Sequence, residues 1–206
     1  MYKRQAITSH AQIVSTDPIF PCADDNVTIV YDATQGNGEL ENVIPIYAHT
    51  GVITSNSSSS TDWQRVQGDW GTNDPNVLMT PLGNNKHEIT YNIRNFYDNI
   101  PVAEEVYSMA FVFRDATGDL VGRDFDGSDI FTPVYPCSGM FATIVNPFFD
   151  NILVEMNDII PVFAAASQSS TLTLFDNGSQ IYQTTGTELN YDLQAVSYTH
   201  LRAHET

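Results

Sequence analysis

Apolar and polar residues alternate with a period of two along most of this chain. In residues 26–33, NVTIVYDA, the apolar Val27, Ile29 and Tyr31 fall on one side and Thr28, Val30 and Asp32 on the other, as in a strand with one face in a core. A Gly/Asn turn, TQGNG, ends it. VIPIYAH (43–49) predicts a second strand, with Tyr47 and His49 on one face; Pro45 lacks an N–H and places it at an edge or a bulge. VLMTPLG (77–83) and HEITYNI (87–93) predict a hairpin through GNNK. EVYSMAFVFRDA (105–116) is apolar on both sides in MAFVF, the pattern of a central strand. DLVGRDF and SDIFTPVY complete the set, and IRNFYDNIP (93–101) reads as one helical turn closed by Pro101.

After Cys137 the pattern restarts with MFATIVNP, NILVEMNDIIPVFAAAS, STLTLFDNGSQIYQ and TELNYDL. FDNGSQIY predicts a hairpin whose Asn177-Gly178 pair suits a type I′ turn. No window shows a sustained 3.6-residue period. The fold class expected is therefore all-β, as tandem antiparallel β-sandwiches of immunoglobulin-like form. The second sandwich is expected to be incomplete, with four or five strands where an immunoglobulin-like fold needs about seven.

Charge narrows the partners. With 25 Asp+Glu against 8 Lys+Arg the net charge is -17, which argues against nucleic acid and against an anionic membrane surface. No run is as long as a membrane span. Neutral ligands, cations and basic partners remain. The two ends break with the rest: MYKRQ and VSYTHLRAHET resemble translated sequencing adapter and hold three of the basic residues, Lys3, Arg4 and Arg202. Beside the first, Ser9-His10-Ala11 has the small-x-small form of a signal-peptidase site. The expected division is an extraneous start, signal remnant and leader over 1–16, a β-sandwich module over 17–137, a partial immunoglobulin-like module over 138–196, and an adapter-like tail over 197–206. Export, as a secreted or cell-surface protein, follows from this reading. His200 and His204 have an i, i+4 spacing but fall in the tail.

Cys22 and Cys137 bracket the first module. In an exported protein they are expected either to tie its two ends together or to remain as two thiols. Catalytic signatures such as G-x-S-x-G, H-E-x-x-H, a P-loop and G-x-G-x-x-G do not occur. The chain itself is expected to be non-catalytic and to need no cofactor, Ca²⁺ excepted. For Ca²⁺, Asp124, Asp126 and Asp129 around Gly127 offer oxygen ligands on a tight turn; the same residues are also what a hairpin turn demands.

The only two tryptophans, Trp63 and Trp70, lie on or beside the polar loop that follows Tyr47 and His49. Aromatic faces stack on the C–H patches of sugar rings, and Tyr and Trp add a polar handle. Tyr47, His49, Trp63 and Trp70, rimmed by Asn56, Asp62, Gln64 and Gln67, are therefore the candidate ligand-binding residues for a neutral polyhydroxylated ligand. The competing expectation is that a tryptophan plugs the end of the sandwich.

DDNVTIVYDATQGNGEL, IYAHTGVIT, SSTDWQRVQGDWG, IRNFY, MAFVFRDATGD and GRDFDGSDIF, in this order, make residues of about 17–135 similar to an N-terminal module of secreted bacterial enzymes of the α-amylase family. Residues 138–196, with IPVFAAASQSSTLTLFDNG, resemble the immunoglobulin-like module that follows it. The resemblance implies a non-catalytic, starch- or α-glucan-binding accessory region of a larger glycoside hydrolase, whose catalytic domain would come next. The alternative is a structural spacer with no glycan contact. Under the first reading Trp63 and Trp70 stack on sugar, with Tyr47 and His49 beside them. FYDNIPVAEE departs from the tighter glycine-containing turn expected of the family, and the two cysteines are not features of it.

Overall fold

The computed structural model describes residues 12–148 and 157–195, which fall into two compact units divided after Ser138. The readings made of residues 1–11, of the tail 197–206 and of His10, His200 and His204 lie outside the described residues.

The first unit runs β1 (Val14–Asp17), β2 (Asn26–Asp32), β3 (Tyr47–Thr54), β4 (Gln64–Gln67), β5 (Thr80–Gly83), β6 (Lys86–Asn92), the single turn α1 (Ile93–Phe96), β7 (Val106–Arg114), β8 (Val121–Gly122) and β9 (Ile130–Pro133). One sheet has the order β1-β2-β6-β5; the other has β4-β3-β7-β8, with β9 also on β7. The described pairs are antiparallel. This is the all-β, sandwich-type architecture expected.

The period-two pattern explains the core. Val27, Ile29 and Tyr31 of β2 are fully buried, and Tyr91, Ile89 and His87 stand opposite them on β6. From the other sheet come Ala48, Thr50 and Val52 of β3 and Met109, Phe111 and Phe113 of β7. Tyr31 stacks on Phe113 across the sandwich with centroids 3.9 Å apart. A short polar chain crosses the same interior. Thr50 Oγ1 donates to the Ala110 carbonyl (2.8 Å), the Tyr97 hydroxyl donates to Thr50 Oγ1 (2.6 Å), and the Tyr91 hydroxyl lies 3.1 Å from that of Tyr97. Buried hydroxyls need such partners, and burial pushes the Tyr97 phenol up to about 12.

Local chemistry sets the connections. Asn84 and Asn85, both at positive φ, turn β5 into β6, as the GNNK reading requires. Asn92 caps α1 by accepting from the Asn95 N–H. Cys22 and Cys137 are joined in a disulfide with Cα atoms 5.0 Å apart, closing the unit near its two ends.

Three features differ from expectation. Residues 14–16, assigned to a leader, belong to β1, where Val14 pairs with Tyr31 and is buried. β3 is not an edge strand, and Pro45 precedes it; it continues through Gly51 to Thr54 and lies between β4 and β7. β4 was not anticipated, since its four residues include Arg65 at φ 53°.

The second unit contains β10 (Ala142–Asn146), β11 (Ile159–Asp176) and β12 (Ser179–Gln194) in the order β10-β11-β12. The Asn177-Gly178 turn joins β11 to β12 with both residues at positive φ. Two separately expected strands are fused in each of β11 and β12, and the fused ribbon bends sharply. Between the pairs Ala165–Glu188 and Ser170–Gly186, four residues of β11 stand against one of β12, beside Gly186 at φ 154°. Tyr182 and Tyr191 sit on the same strand, yet their rings stack 5.1 Å apart. A straight strand would separate them by about 30 Å. Leu172, Leu174 and Ile181 thus fold back onto Ile160, Val162, Leu189 and Leu193. The bent ribbon of this three-stranded antiparallel sheet buries its own apolar face.

Candidate functional site

The outer face of the five-stranded sheet gathers the nominated residues. Ala48, Thr50 and Val52 point into the core, so period two puts Tyr47, His49, Gly51 and Ile53 on the other face, where Tyr47 is still buried and packed into the core cluster. Their pair partners on β7 are Arg114, Val112, Ala110 and Ser108. The chain between β3 and β5 returns over this face and brings both tryptophans onto it.

Glycines make the seats. Trp63 lies against Gly51, where a Cβ would stand 3.2 Å from its Cε3. A Cβ at position 51 would be in tight contact with the indole and with the Gln64 carbonyl, 3.0 Å away. His49 Nδ1 is 2.8 Å from the Gly68 carbonyl, which can only accept, so the ring carries its proton on Nδ1 and leaves Nε2 as an acceptor in the neutral form. Gly68 sits at φ 77° with Ala48 O only 2.4 Å from the position of a Cβ, so only glycine fits. The imidazole stacks on Trp63 (centroids 5.6 Å) and meets Trp70 edge-on (5.5 Å). Beyond Trp70, its Nε1 stands 3.2 Å from where a Gly118 Cβ would be. Arg65, which donates to Glu104 at 2.7 Å, ties β4 down; that bond holds the Glu104 carboxyl below its usual range.

The nominated residues fare differently. Trp70 is 48% exposed, Trp63 and His49 are half-buried, and the Trp63 Nε1–H is buried with no hydrogen-bond partner among the described residues. Tyr47 is 8% exposed and offers no free face, because the Arg114 guanidinium lies over its ring at 5.0 Å. This corrects its place in the binding set, and the reason is a residue that the sequence reading took only as the end of a strand. Arg114 is itself fully buried. It donates to Asn73 Oδ1 (3.1 Å), to the Asp115 carbonyl (2.8 Å) and to the Thr72 carbonyl, anchoring the loop that carries Trp70. Of the expected rim, Asp62 accepts from the N–H and hydroxyl of Ser58 and so organises the serine loop, while Gln64 and Gln67 lie on β4 and Asn56 in the turn after β3.

Beside Trp63 opens a cleft of about 490 Å³ that the sequence reading missed. Ile53 and Ser108 line the sheet side, Tyr107 and Phe131 supply aromatic rings, and the loop supplies the hydroxyls of Ser57, Ser59, Ser60 and Thr61. The one signal available was the run of serines, which pattern alone assigns to a solvated loop.

The three aspartates nominated for Ca²⁺ do not converge. Asp129 pairs with Arg123. Asp124 accepts from the Phe125 N–H (2.6 Å), and Asp126 from Ser128, whose hydrogen bonds hold the Asp126 carboxyl below its usual range. Among the described residues, Cys22, Asp24 and Cys137 alone bring three potential ligand atoms within 4.8 Å, and the cysteines there are oxidised to a disulfide.

In comparisons with known proteins, no family model matches this chain, and no curated protein matches it.

Proposed function

We propose that the first unit is a non-catalytic carbohydrate-binding module. In this reading it serves as an accessory region of a larger secreted glycoside hydrolase and takes starch or a related α-glucan as its ligand. The observation that carries the reading is Trp70: an indole 48% exposed and yet held in place by His49, by the Gly118 turn and by the loop that Arg114 anchors. A flat, rigid apolar face at the surface suits the C–H face of a sugar ring. It needs no charge complementarity, which agrees with a net charge of -17. The α-glucan and the hydrolase come from the family resemblance of the sequence. Tethering polymer beside a linked catalytic domain would raise the effective substrate concentration.

Affinity electrophoresis of the whole chain through gels carrying soluble starch, glycogen, barley β-glucan or no polymer tests this. Retardation by starch and glycogen, abolished by Trp70→Ala with an unchanged melting temperature, is the expected result. Unchanged mobility of the folded protein in every gel would refute it. That outcome would favour a structural spacer, a reading supported by Tyr47 and Trp63, whose rings are committed to packing against Arg114 and Gly51.

A further inference from the structure

The cleft beside Trp63 owes its shape to a bulge in β7. Ile53 pairs with Ser108, but the next residue, Thr54, pairs with Val106, so Tyr107 is an extra residue in the strand. Val106 and Met109 both remain in the core. Tyr107 and Ser108, adjacent in sequence, therefore both face the cleft, which a regular strand forbids. The Tyr107 ring is 51% exposed, with its hydroxyl donating to Glu105 at 3.2 Å, and Phe131 on β9 is 39% exposed. Two large aromatic surfaces are thus left uncovered on either side of a hydroxyl-bearing pocket.

The lining selects the ligand class. Not one lining residue is charged in a chain of net charge -17; the adjoining Glu105 carboxylate is engaged by the Tyr107 hydroxyl, and an anion finds no counter-charge in the lining. The loop hydroxyls of Ser57, Ser59 and Thr61 are engaged in local turns; Ser60 and Ser108 make none of these bonds. Aromatic faces plus free hydroxyls, with no charge, match a neutral sugar ring, which presents C–H faces and hydroxyl edges together. The cleft is also continuous with the ring set already described. Phe131 meets Trp63 edge-on at 6.5 Å, Trp63 stacks on His49 at 5.6 Å, and His49 meets Trp70 at 5.5 Å.

Resting on the carbohydrate-binding reading, we infer that this cleft holds a second sugar residue of the glycan chain that Trp70 contacts, with Tyr107 and Phe131 as its walls. The ligand is then an extended neutral oligosaccharide lying along the row Phe131–Trp63–His49–Trp70, and the bulge in β7 is the device that places Tyr107.

The test uses the whole chain in the same polymer gels, with Tyr107→Ala to remove a wall and Ser60→Arg to obstruct the mouth from an exposed loop position. Both sites lie outside the core, and thermal melts confirm folding of each variant. Where the wild type is retarded, Tyr107→Ala is expected to bind about tenfold more weakly, the loss of roughly one aromatic contact, and Ser60→Arg at least as weakly, by obstruction. Wild-type retardation that Trp70→Ala abolishes while Tyr107→Ala and Ser60→Arg leave it unchanged overturns the cleft and preserves the module. A wild type retarded by no polymer overturns both.

Discussion

Arg114→Met replaces a fully buried guanidinium by an apolar chain of similar length, and the structure sets what should follow. Three hydrogen bonds disappear, to Asn73 Oδ1, to the Asp115 carbonyl and to the Thr72 carbonyl. Bonds from a charged donor contribute about 1.5–3 kcal/mol each. Two effects offset the gross loss. No carboxylate is ion-paired with Arg114 among the described residues, so Met relieves the cost of burying its charge, and the loop acceptors can turn partly toward water. A net destabilisation of about 3 kcal/mol remains, which for a unit of this size lowers Tm by about 10 °C. Both tryptophans belong to the first unit, so unfolding followed by tryptophan fluorescence reports that unit alone. Acrylamide quenching adds a local readout, since release of the 72–73 anchor should expose Trp70 further. Arg114→Lys keeps the charge but not the planar fork that bridges three acceptors, so it should lose most of the same stability. A Met variant whose stability and quenching match the wild type would refute the role of Arg114 as the anchor of the Trp70 loop.

Gly68→Ala should destabilise by at least about 2 kcal/mol in urea unfolding, because it combines a positive φ with overlap onto the Ala48 carbonyl; a neutral effect would mean that the turn can shift. Burial holds the His87 imidazole below its ordinary pKa, so the unfolded chain takes up this proton first. Its contribution is fully present above the unfolded value of about 6.5 and is lost as pH falls toward the depressed folded value. Urea midpoints measured between pH 7.5 and 5 should fall, and His87→Leu should flatten that part of the profile. The depressed carboxylates of Asp32, Glu104 and Asp126 act only at lower pH. Reducing the Cys22–Cys137 bridge, which spans a sequence separation of 115, should cost up to about 4–5 kcal/mol by chain entropy, read as a lower Tm in dithiothreitol. An unchanged melt would show that the closed loop was already constrained in the unfolded chain.

The sequence by itself determined the elements whose signal is local. Val27, Ile29 and Tyr31 alternate because one face of β2 meets a core, and all three are fully buried. Asn84-Asn85 and Asn177-Gly178 specify their turns because few other residues tolerate positive φ. MAFVF marked the central strand, and the shared face of Tyr47 and His49 followed from period two alone. What lies above that face was decided only by tertiary contacts. The burial of Tyr47 depends on Arg114, 67 positions away in sequence but opposite it in register. The seats of Trp63 and Trp70 depend on the space left by Gly51 and Gly118, and that of His49 on the carbonyl of Gly68, whose close approach to Ala48 and Val77 only a glycine permits. Tyr107 faces the cleft because of a bulge defined by its pairing with β3, a relation between strands that no single strand's pattern contains. In the second unit the alternation was legible, but the bend that folds β11 and β12 back was not, because the gain in apolar burial that drives it appears only when residues far apart on the ribbon meet.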